Sequence, residues 1–297
     1  MKFMSLYHFK TFRTSYYFPA FNEDSRFLYG LYTPFGGGIA KVYWKLFCSC
    51  RLVQILNRVS NPDSVFPYSN IMALMPKDVL VSFNMGTPGP EQKISMLGIE
   101  TNGNHFFAKY STKKDAMALS RNEIIILTKL KGTNLSPDLL IYKDNSDYVF
   151  FRTTCVEGKS PTTIELDDNI VDLAISINRI DLQNRNLKTS LSHGDFTPWN
   201  LIITHEEKYK MIDWELACER ELGYDLFTYI MHVGTLLMPN TSFIQLIEKN
   251  LYYIHKYFNA FGIKDWEPYL KAFARRRIEY DMNKCEYEHA KKFECLL

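Results

Sequence analysis

The sequence predicts an α+β fold of two lobes, a small antiparallel-sheet lobe carrying one helix and a mainly helical lobe, with an N-terminal extension ahead of them. Three observations predict it. Residues 78–154 hold strand-like runs around a single helical stripe, residues 163–290 are dominated by helical periodicity, and a polar loop at 192–200 leads into a short hairpin between them. The expected divisions are 1–77 for the extension, 78–157 for the sheet lobe and 158–297 for the helical lobe.

The chain has 297 residues, 46% of them hydrophobic, enough to bury a sizeable core. At roughly 150 residues per domain this length suggests two lobes. With 35 basic and 33 acidic side chains, 14 Gly and 12 Pro, it is neither a polyelectrolyte nor a low-complexity chain. Residues 1–60 nevertheless carry a net charge of +6 against −4 for the remainder. Nucleic-acid binding has no support beyond that charge. Met1 to Ala20 mixes Lys2, His8, Lys10 and Arg13 among its aromatics and gives no signal peptide, and no run approaches the ~18 apolar residues of a spanning helix, so a cytoplasmic protein is expected. The six cysteines show neither a disulfide framework nor paired metal-ligand spacing and read as reduced thiols.

In the extension, a Gly36-Gly37-Gly38 hinge precedes Ile39, Val42, Tyr43, Leu46, Phe47, Cys50 and Val53, which recur at helical spacing and predict a basic amphipathic helix over about 38–58. That helix packs on the small lobe or rests on a membrane surface. The core-like stripe Tyr43, Phe47 and Val53 favours packing.

The sheet lobe follows as strands at 78–84, 92–100 and 105–110, the last after the turn Thr101-Asn102-Gly103-Asn104. A helix is predicted from Lys113 to Leu130, capped by Ser111 or Thr112 and closed by Gly132. Strands near 139–143 and 148–154 flank the turn Asp144-Asn145-Ser146-Asp147. The helix has an apolar stripe of Ala116, Leu119, Glu123, Ile126 and Leu130. A carboxylate within such a stripe is costly to desolvate alone, so Glu123 should have a cationic partner. Lys109, on the preceding strand, is the nearest candidate by topology; the alternative is Lys113 or water at the helix edge.

The helical lobe is expected as helices at about 163–183, 223–238, 241–260 and 266–290, with a hairpin of Leu201-Ile202-Ile203 and Lys210-Met211-Ile212 embedded in it. Before the hairpin stands Ser192-His193-Gly194-Asp195-Phe196-Thr197-Pro198-Trp199-Asn200. Chain reversal should bring Asn200, at the start of the first strand, beside Asp213, just after the second. One amide oxygen and one carboxylate can then face a common cation, a hard-oxygen pair that suits Mg²⁺. Asp195 is left to receive a proton from an attacking hydroxyl. These are the parts of phosphoryl transfer from ATP, which is mainly positioning and charge neutralisation.

The run H-G-D-x-x-x-x-N at 193–200 followed by I-D-W-E at 212–215 resembles the aminoglycoside phosphotransferase and choline kinase group, relatives of the protein kinases. The resemblance covers about 78–240 and leaves 1–76 outside. It implies a bilobal protein kinase-like fold with Asp195 as catalytic base, Asn200 and Asp213 as metal ligands, and Lys109 and Glu123 at the ATP phosphates. Asp225 opens the next helix and reads as its N-cap; the resemblance further implies that it braces the catalytic loop through backbone N–H groups, and that 150–157 meets adenine. The phosphate-covering turn Phe83-Asn84-Met85-Gly86-Thr87-Pro88-Gly89-Pro90 departs from G-x-G-x-x-G; Gly86, Thr87 and Gly89 can offer N–H groups, whereas Pro88 and Pro90 have none. Glu215 supports either the metal or a neighbour, and His193 reads as a packed support of the loop.

The expected activity is an ATP- and Mg-dependent phosphotransferase acting on a hydroxyl of a small molecule such as a sugar, glycan intermediate or amino-alcohol. The alternative is a catalytically inactive binding or scaffold protein of kinase fold. A protein kinase fits less well, since eleven residues between Asp213 and Asp225 leave little room for a peptide-docking loop. The segment from Lys271 onward has seven basic and five acidic residues and so lacks the acidic excess that a polycationic aminoglycoside would favour.

Overall fold

The computed structural model describes residues 5–32, 38–161, 165–238 and 240–297. Gly36 and Gly37 of the expected hinge, and the start of the helix expected from 163, lie outside them. The chain divides into two compact units, Met1–Ile124 with Asp138–Cys155, and Ile125–Pro137 with Val156–Leu297.

The first unit is built on strands β1 (Leu6–Lys10), β2 (Ser15–Phe18), β3 (Arg58–Val59), β4 (Leu80–Asn84), β5 (Ile94–Ile99), β6 (His105–Ser111), β7 (Leu139–Asp144) and β8 (Val149–Thr154). Its helices are α1 (Gly38–Ser49), α2 (Arg51–Leu56) and α3 (Tyr68–Met72), with α4 (Lys114–Lys129) continuing into the second unit. The strands form one sheet in the order β3-β1-β2-β4-β5-β6-β8-β7, every pairing antiparallel.

Strands β4 to β8 match the sequence expectation because their turns are strongly encoded. Asn102 Oδ1 accepts the Asn104 N–H at 2.9 Å beside a left-handed Gly103, and Asn145 Oδ1 accepts from Asp147 and Tyr148, both at 2.9 Å. Helix α4 starts at Lys114, and Ser111 does not cap it. Ser111 ends β6, and its hydroxyl shares a 2.8 Å hydrogen bond with Ser120.

The N-terminal region joins this sheet. Strands β1 and β2 form a hairpin whose β2 pairs with β4, in the register Tyr17↔Phe83. Alternation sends Leu6 and Tyr17 to a core with Phe83, Phe106 and Tyr110, and sends Phe9 and Phe18 to the opposite face, against Tyr29 and Phe47. This end of the sheet is therefore buried on both sides. The helix expected over 38–58 breaks at Cys50, whose extended backbone (φ −105°, ψ 105°) separates α1 from α2. Phe47 is buried and Val53 partly so, in agreement with packing, while Tyr43 remains 41% exposed although its ring stacks on Phe9.

The second unit contains β9 (Gly158–Lys159), α5 (Asp168–Asn178), β10 (Thr189–Ser192), β11 (Leu201–Thr204), β12 (Tyr209–Met211), β13 (Cys218–Glu221) and helices α6 (Tyr224–Leu237), α7 (Phe243–Lys249), α8 (Leu251–Asn259), α9 (Glu267–Asn283) and α10 (Tyr287–Phe293). Two predicted helices are divided. Asn250 ends α7, its amide donating to Leu246 O at 2.8 Å, and Cys285 takes a left-handed φ of 61° between α9 and α10. Phe227, Phe258, Phe273 and Phe293 from α6, α8, α9 and α10 meet in the core, with Phe227 centred 5.6 Å from Phe273. Strands β12-β11-β9 form one small sheet, and β10 pairs with β13 in another. That second pairing is not evident from the sequence.

Because Phe18 is completely buried, Phe18→Ala should destabilise the protein by about 3–5 kcal/mol in urea unfolding, whereas Leu56→Ala, at an 85% exposed position, should change stability by no more than about 0.5 kcal/mol.

Candidate functional site

In the second unit the site is built around a turn that side chains hold from below. Asp225, at the second position of α6, is fully buried, and its carboxylate accepts three hydrogen bonds: from Ser192 Oγ at 2.8 Å, His193 N–H at 2.8 Å and Gly194 N–H at 3.0 Å. Gly223 occupies the cap position of the helix, so Asp225 serves the preceding loop. Gly194 has a φ of +86°, and a Cβ there would stand 2.4 Å from Leu216 O. Only glycine fits both the turn and the space.

His193 is buried between the two strand ends. Its Nδ1 accepts the Asp195 N–H at 3.3 Å, so the hydrogen sits on Nε2, which donates to Ile212 O at 3.0 Å. Burial, the largest influence, holds its pKa below the usual histidine range, although Asp225 and the bond to Ile212 act in the other direction. His193 thus ties Asp195 to the far end of the hairpin as a neutral ring, as expected of a loop support.

Asp195 and Asn200 are brought into contact. Asn200 Nδ2 donates to Asp195 Oδ2 at 2.8 Å and to Asp195 O at 3.0 Å. With its nitrogen committed, the amide has Oδ1 left as an atom that could hold a cation. The Ile212 N–H donates to Asn200 O at 2.9 Å, which sets Asp213 next to the start of β11 as strand pairing requires. Asp213 adopts a left-handed conformation (φ 67°, ψ 60°) and opens a short 3₁₀ turn, Trp214–Leu216. One carboxylate oxygen of Asp213 and one of Glu215 lie within 4.8 Å of each other. The buried Trp214 fixes the turn by donating Nε1–H to Met211 O at 2.9 Å. Burial raises the Asp195 carboxyl above its ordinary range and the nearby Asp213 charge adds to that, while His193 and the Asn200 hydrogen bond oppose it. A raised pKa makes a carboxylate a better proton acceptor.

One residue to which the sequence analysis gave no role, His232, stands beside Asp195, and Trp199 lies against it. His232 Nδ1 is 3.9 Å from Asp195 Oδ1, and the ring of Trp199, a 44% exposed side chain, lies nearly parallel to His232 with centroids 6.3 Å apart. Burial, followed by the Arg277 and His289 charges, pushes the His232 pKa down to about 4. His232 lies in the middle of an apolar helical run, so its letters carried no signal.

In the first unit, Lys109 and Glu123 are joined as expected. Lys109 Nζ donates to Glu123 Oε2 at 2.5 Å, and both side chains are buried. Lys109 sits mid-sheet, paired with Ser95 on one side and Phe151 on the other. The Gly86 and Gly89 turn is braced internally. Gly86 donates its N–H to Asn84 Oδ1 at 2.9 Å, while Gly89 O accepts from Lys113 Nζ at 2.7 Å and Met85 O from Gln92 Nε2 at 3.0 Å. The N–H expected of Gly86 for a phosphate thus serves the turn. Lys113 binds this turn, and Glu123 takes Lys109.

Residues 156–240 match the model of a phosphotransferase enzyme family. This stretch contains the whole loop from His193 to Asp213 together with Asp225. No curated protein matches the sequence. Among solved structures, the aminoglycoside phosphotransferase APH(4)-Ia is similar at 10% identity and a TM-score of 0.50, over 80% of this chain and 98% of that one. A thermostable mutant of the same phosphotransferase, in a ternary complex with ADP and hygromycin B, gives 10% identity and a TM-score of 0.50 over 78% and 97%. The shared feature is the kinase-like fold, with an antiparallel sheet toward the N-terminus and helices toward the C-terminus.

Removing either member of the buried Lys109–Glu123 pair takes the closest opposite charge from the other, so Lys109→Met and Glu123→Leu should each cost about 3–5 kcal/mol, and the double variant less than the sum, as read from a double-mutant cycle in urea. The unfolded chain protonates His193 and His232 near pH 6.5, the folded chain only at lower pH, so unfolding takes up protons in acid. Stability should hold above about pH 6.5 and fall as the pH drops toward 4. His232→Gln should flatten that slope in melting temperatures recorded between pH 7.5 and 4.5.

Proposed function

We propose that the chain is an ATP- and Mg²⁺-dependent phosphotransferase whose acceptor is a hydroxyl on a small molecule, such as a sugar, glycan intermediate or amino-alcohol. The observation that carries this reading is the contact between Asp195 and Asn200 inside a loop fastened to Asp225. A carboxylate of raised pKa is held there by an amide that keeps its oxygen for another ligand.

In this reading Asp195 accepts the proton of the acceptor hydroxyl as its oxygen attacks the γ-phosphorus. The bond from that phosphorus to the bridging oxygen breaks, and ADP leaves with the electron pair. Asn200 Oδ1 and the Asp213 carboxylate are hard oxygen donors of the kind Mg²⁺ accepts, and Glu215 is close enough to Asp213 to support it. Bound there, the ion would supply positive charge against the phosphates. Lys109, oriented by Glu123, is assigned to the phosphates, and the Gly86–Gly89 turn to covering them. His193 holds the loop backbone, and His232 with Trp199 flanks Asp195 on the acceptor side.

A second reading, a kinase-fold protein that binds without transferring phosphate, is favoured by one observation. The turn at 86–90 spends its Gly86 N–H internally, and Pro88 and Pro90 offer none. Incubation with Mg-ATP and a panel of hydroxyl metabolites separates the two readings: a mass gain of one phosphate on any acceptor supports transfer, and nucleotide binding without such a product supports the second.

Asp195→Asn should retain nucleotide binding but lower turnover by about 10²–10⁴-fold, the usual share of a general base. Asp213→Asn should also weaken Mg²⁺-dependent nucleotide binding, as followed by titration calorimetry with and without the metal.

A further inference from the structure

Helices α1 and α2 carry apolar side chains on two faces, and among the described residues the fold covers only one. Inward, Phe47 is completely buried, and Trp44, Cys48 and Val53 pack with it against Phe9, Phe18 and Tyr29. Outward, α1 shows Ile39 (88% exposed), Val42, Tyr43 and Leu46, spaced i, i+3, i+4 and i+7. Helix α2 shows Leu52 (71%), Ile55 and Leu56 (85%) at i, i+3 and i+4. Scattered exposed apolar residues are ordinary, but seven large ones gathered in two helical stripes on adjoining helices are exposure that water does not favour.

The charges beside these stripes are of one sign. Between Asp24 and Asp63 the sequence has no acidic residue, while Arg26, Lys41, Lys45, Arg51 and Arg58 lie in that interval. At 100° per residue the exposed residues of α1 span an arc of about 100°, with Lys45 about 60° and Lys41 about 100° beyond one edge and Phe47 about 40° beyond the other. The apolar arc is thus continuous from the buried face to the exposed one and ends at the lysines. In α2, Arg51 borders the exposed arc in the same way.

We propose that α1 and α2 dock the protein on an anionic membrane surface, the exposed stripes entering the headgroup–acyl boundary and Lys41, Lys45 and Arg51 meeting lipid phosphates. Charge complementarity selects this occupant. A second copy seated face to face would set the same cations against each other, whereas an anionic lipid surface attracts each nearby Lys or Arg by about 1 kcal/mol. The twelve residues of α1 reach about 18 Å, short of the ~30 Å hydrocarbon core, and among the described residues no helix is long and apolar enough to cross it. The helices therefore lie on the bilayer. The inference is independent of the phosphotransferase reading.

Flotation of the full chain with vesicles of phosphatidylcholine, with and without phosphatidylglycerol, tests it. The chain should float with the anionic vesicles at least about tenfold more strongly than with the neutral ones, and Asp195→Asn should float equally well. A Leu46→Gln, Leu52→Gln and Leu56→Gln variant should lose about tenfold in partitioning, and so should a Lys41→Gln, Lys45→Gln and Arg51→Gln variant, which should also lose most of the salt dependence. If the apolar triple variant fails to fold by circular dichroism, Leu56→Gln alone should still show a measurable loss. No flotation with either vesicle overturns the proposal, as does binding that neither set of substitutions weakens. A lipid-free dimer in sedimentation that dissolves on Leu46→Gln would assign the face to self-association instead.

Discussion

A single buried carboxylate organises the second unit. Asp225 accepts from Ser192, His193 and Gly194 at once, and these three donors make its charge tolerable in the interior. In return the loop backbone is pinned to the first turn of α6. Gly194 turns the chain there, His193 fastens the Asp195 backbone to Ile212, and Asn200 closes on the Asp195 side chain. Asp195, Asn200 and Asp213 are separated by eighteen positions of sequence, yet hydrogen bonds running through this one carboxylate and one imidazole join them. The precision of the site comes from buried backbone contacts beneath it, the arrangement that preorganised chemistry needs.

The sequence made much of this legible, for specific reasons. Glu123 interrupts an apolar helical stripe, which calls for a cation, and Lys109 supplies one. The five-residue step from Asp195 to Asn200 and the hairpin behind it fix a geometry that strand pairing enforces. Strands β5 and β6, and β7 and β8, are joined by turns built on asparagine side chains. The hairpin of β1 and β2 carries no such signal because its turn has no asparagine. Thr11 builds it with a hydroxyl that accepts from Thr14 N–H at 3.1 Å and donates to Thr14 O at 2.9 Å. Strand β10 reads Thr-Ser-Leu-Ser, mostly polar letters, and every one of them is buried. His232 reaches Asp195 only through the packing of α6, a tertiary fact that local pattern does not encode.

The stretch from 38 to 58 shows why a periodicity that favours packing does not exclude membrane contact. Both require an amphipathic helix with a basic edge. An apolar arc wider than the core can cover satisfies the two together, one part closing the aromatic cluster around Phe9 and Phe18 and the other part facing outward. The hydrophobic pattern fixes the helix; the area covered by its neighbours decides what remains for a partner.

Trp199 gives the protein an optical handle on its own loop. It lies four residues after Asp195 with its indole nearly half exposed, while Trp214 in the same loop system is fully buried. A collisional quencher in the solvent therefore reaches the first and spares the second. A molecule seated against the Trp199 ring would shield it, and the change would be read over the emission of Trp44, Trp214 and Trp266.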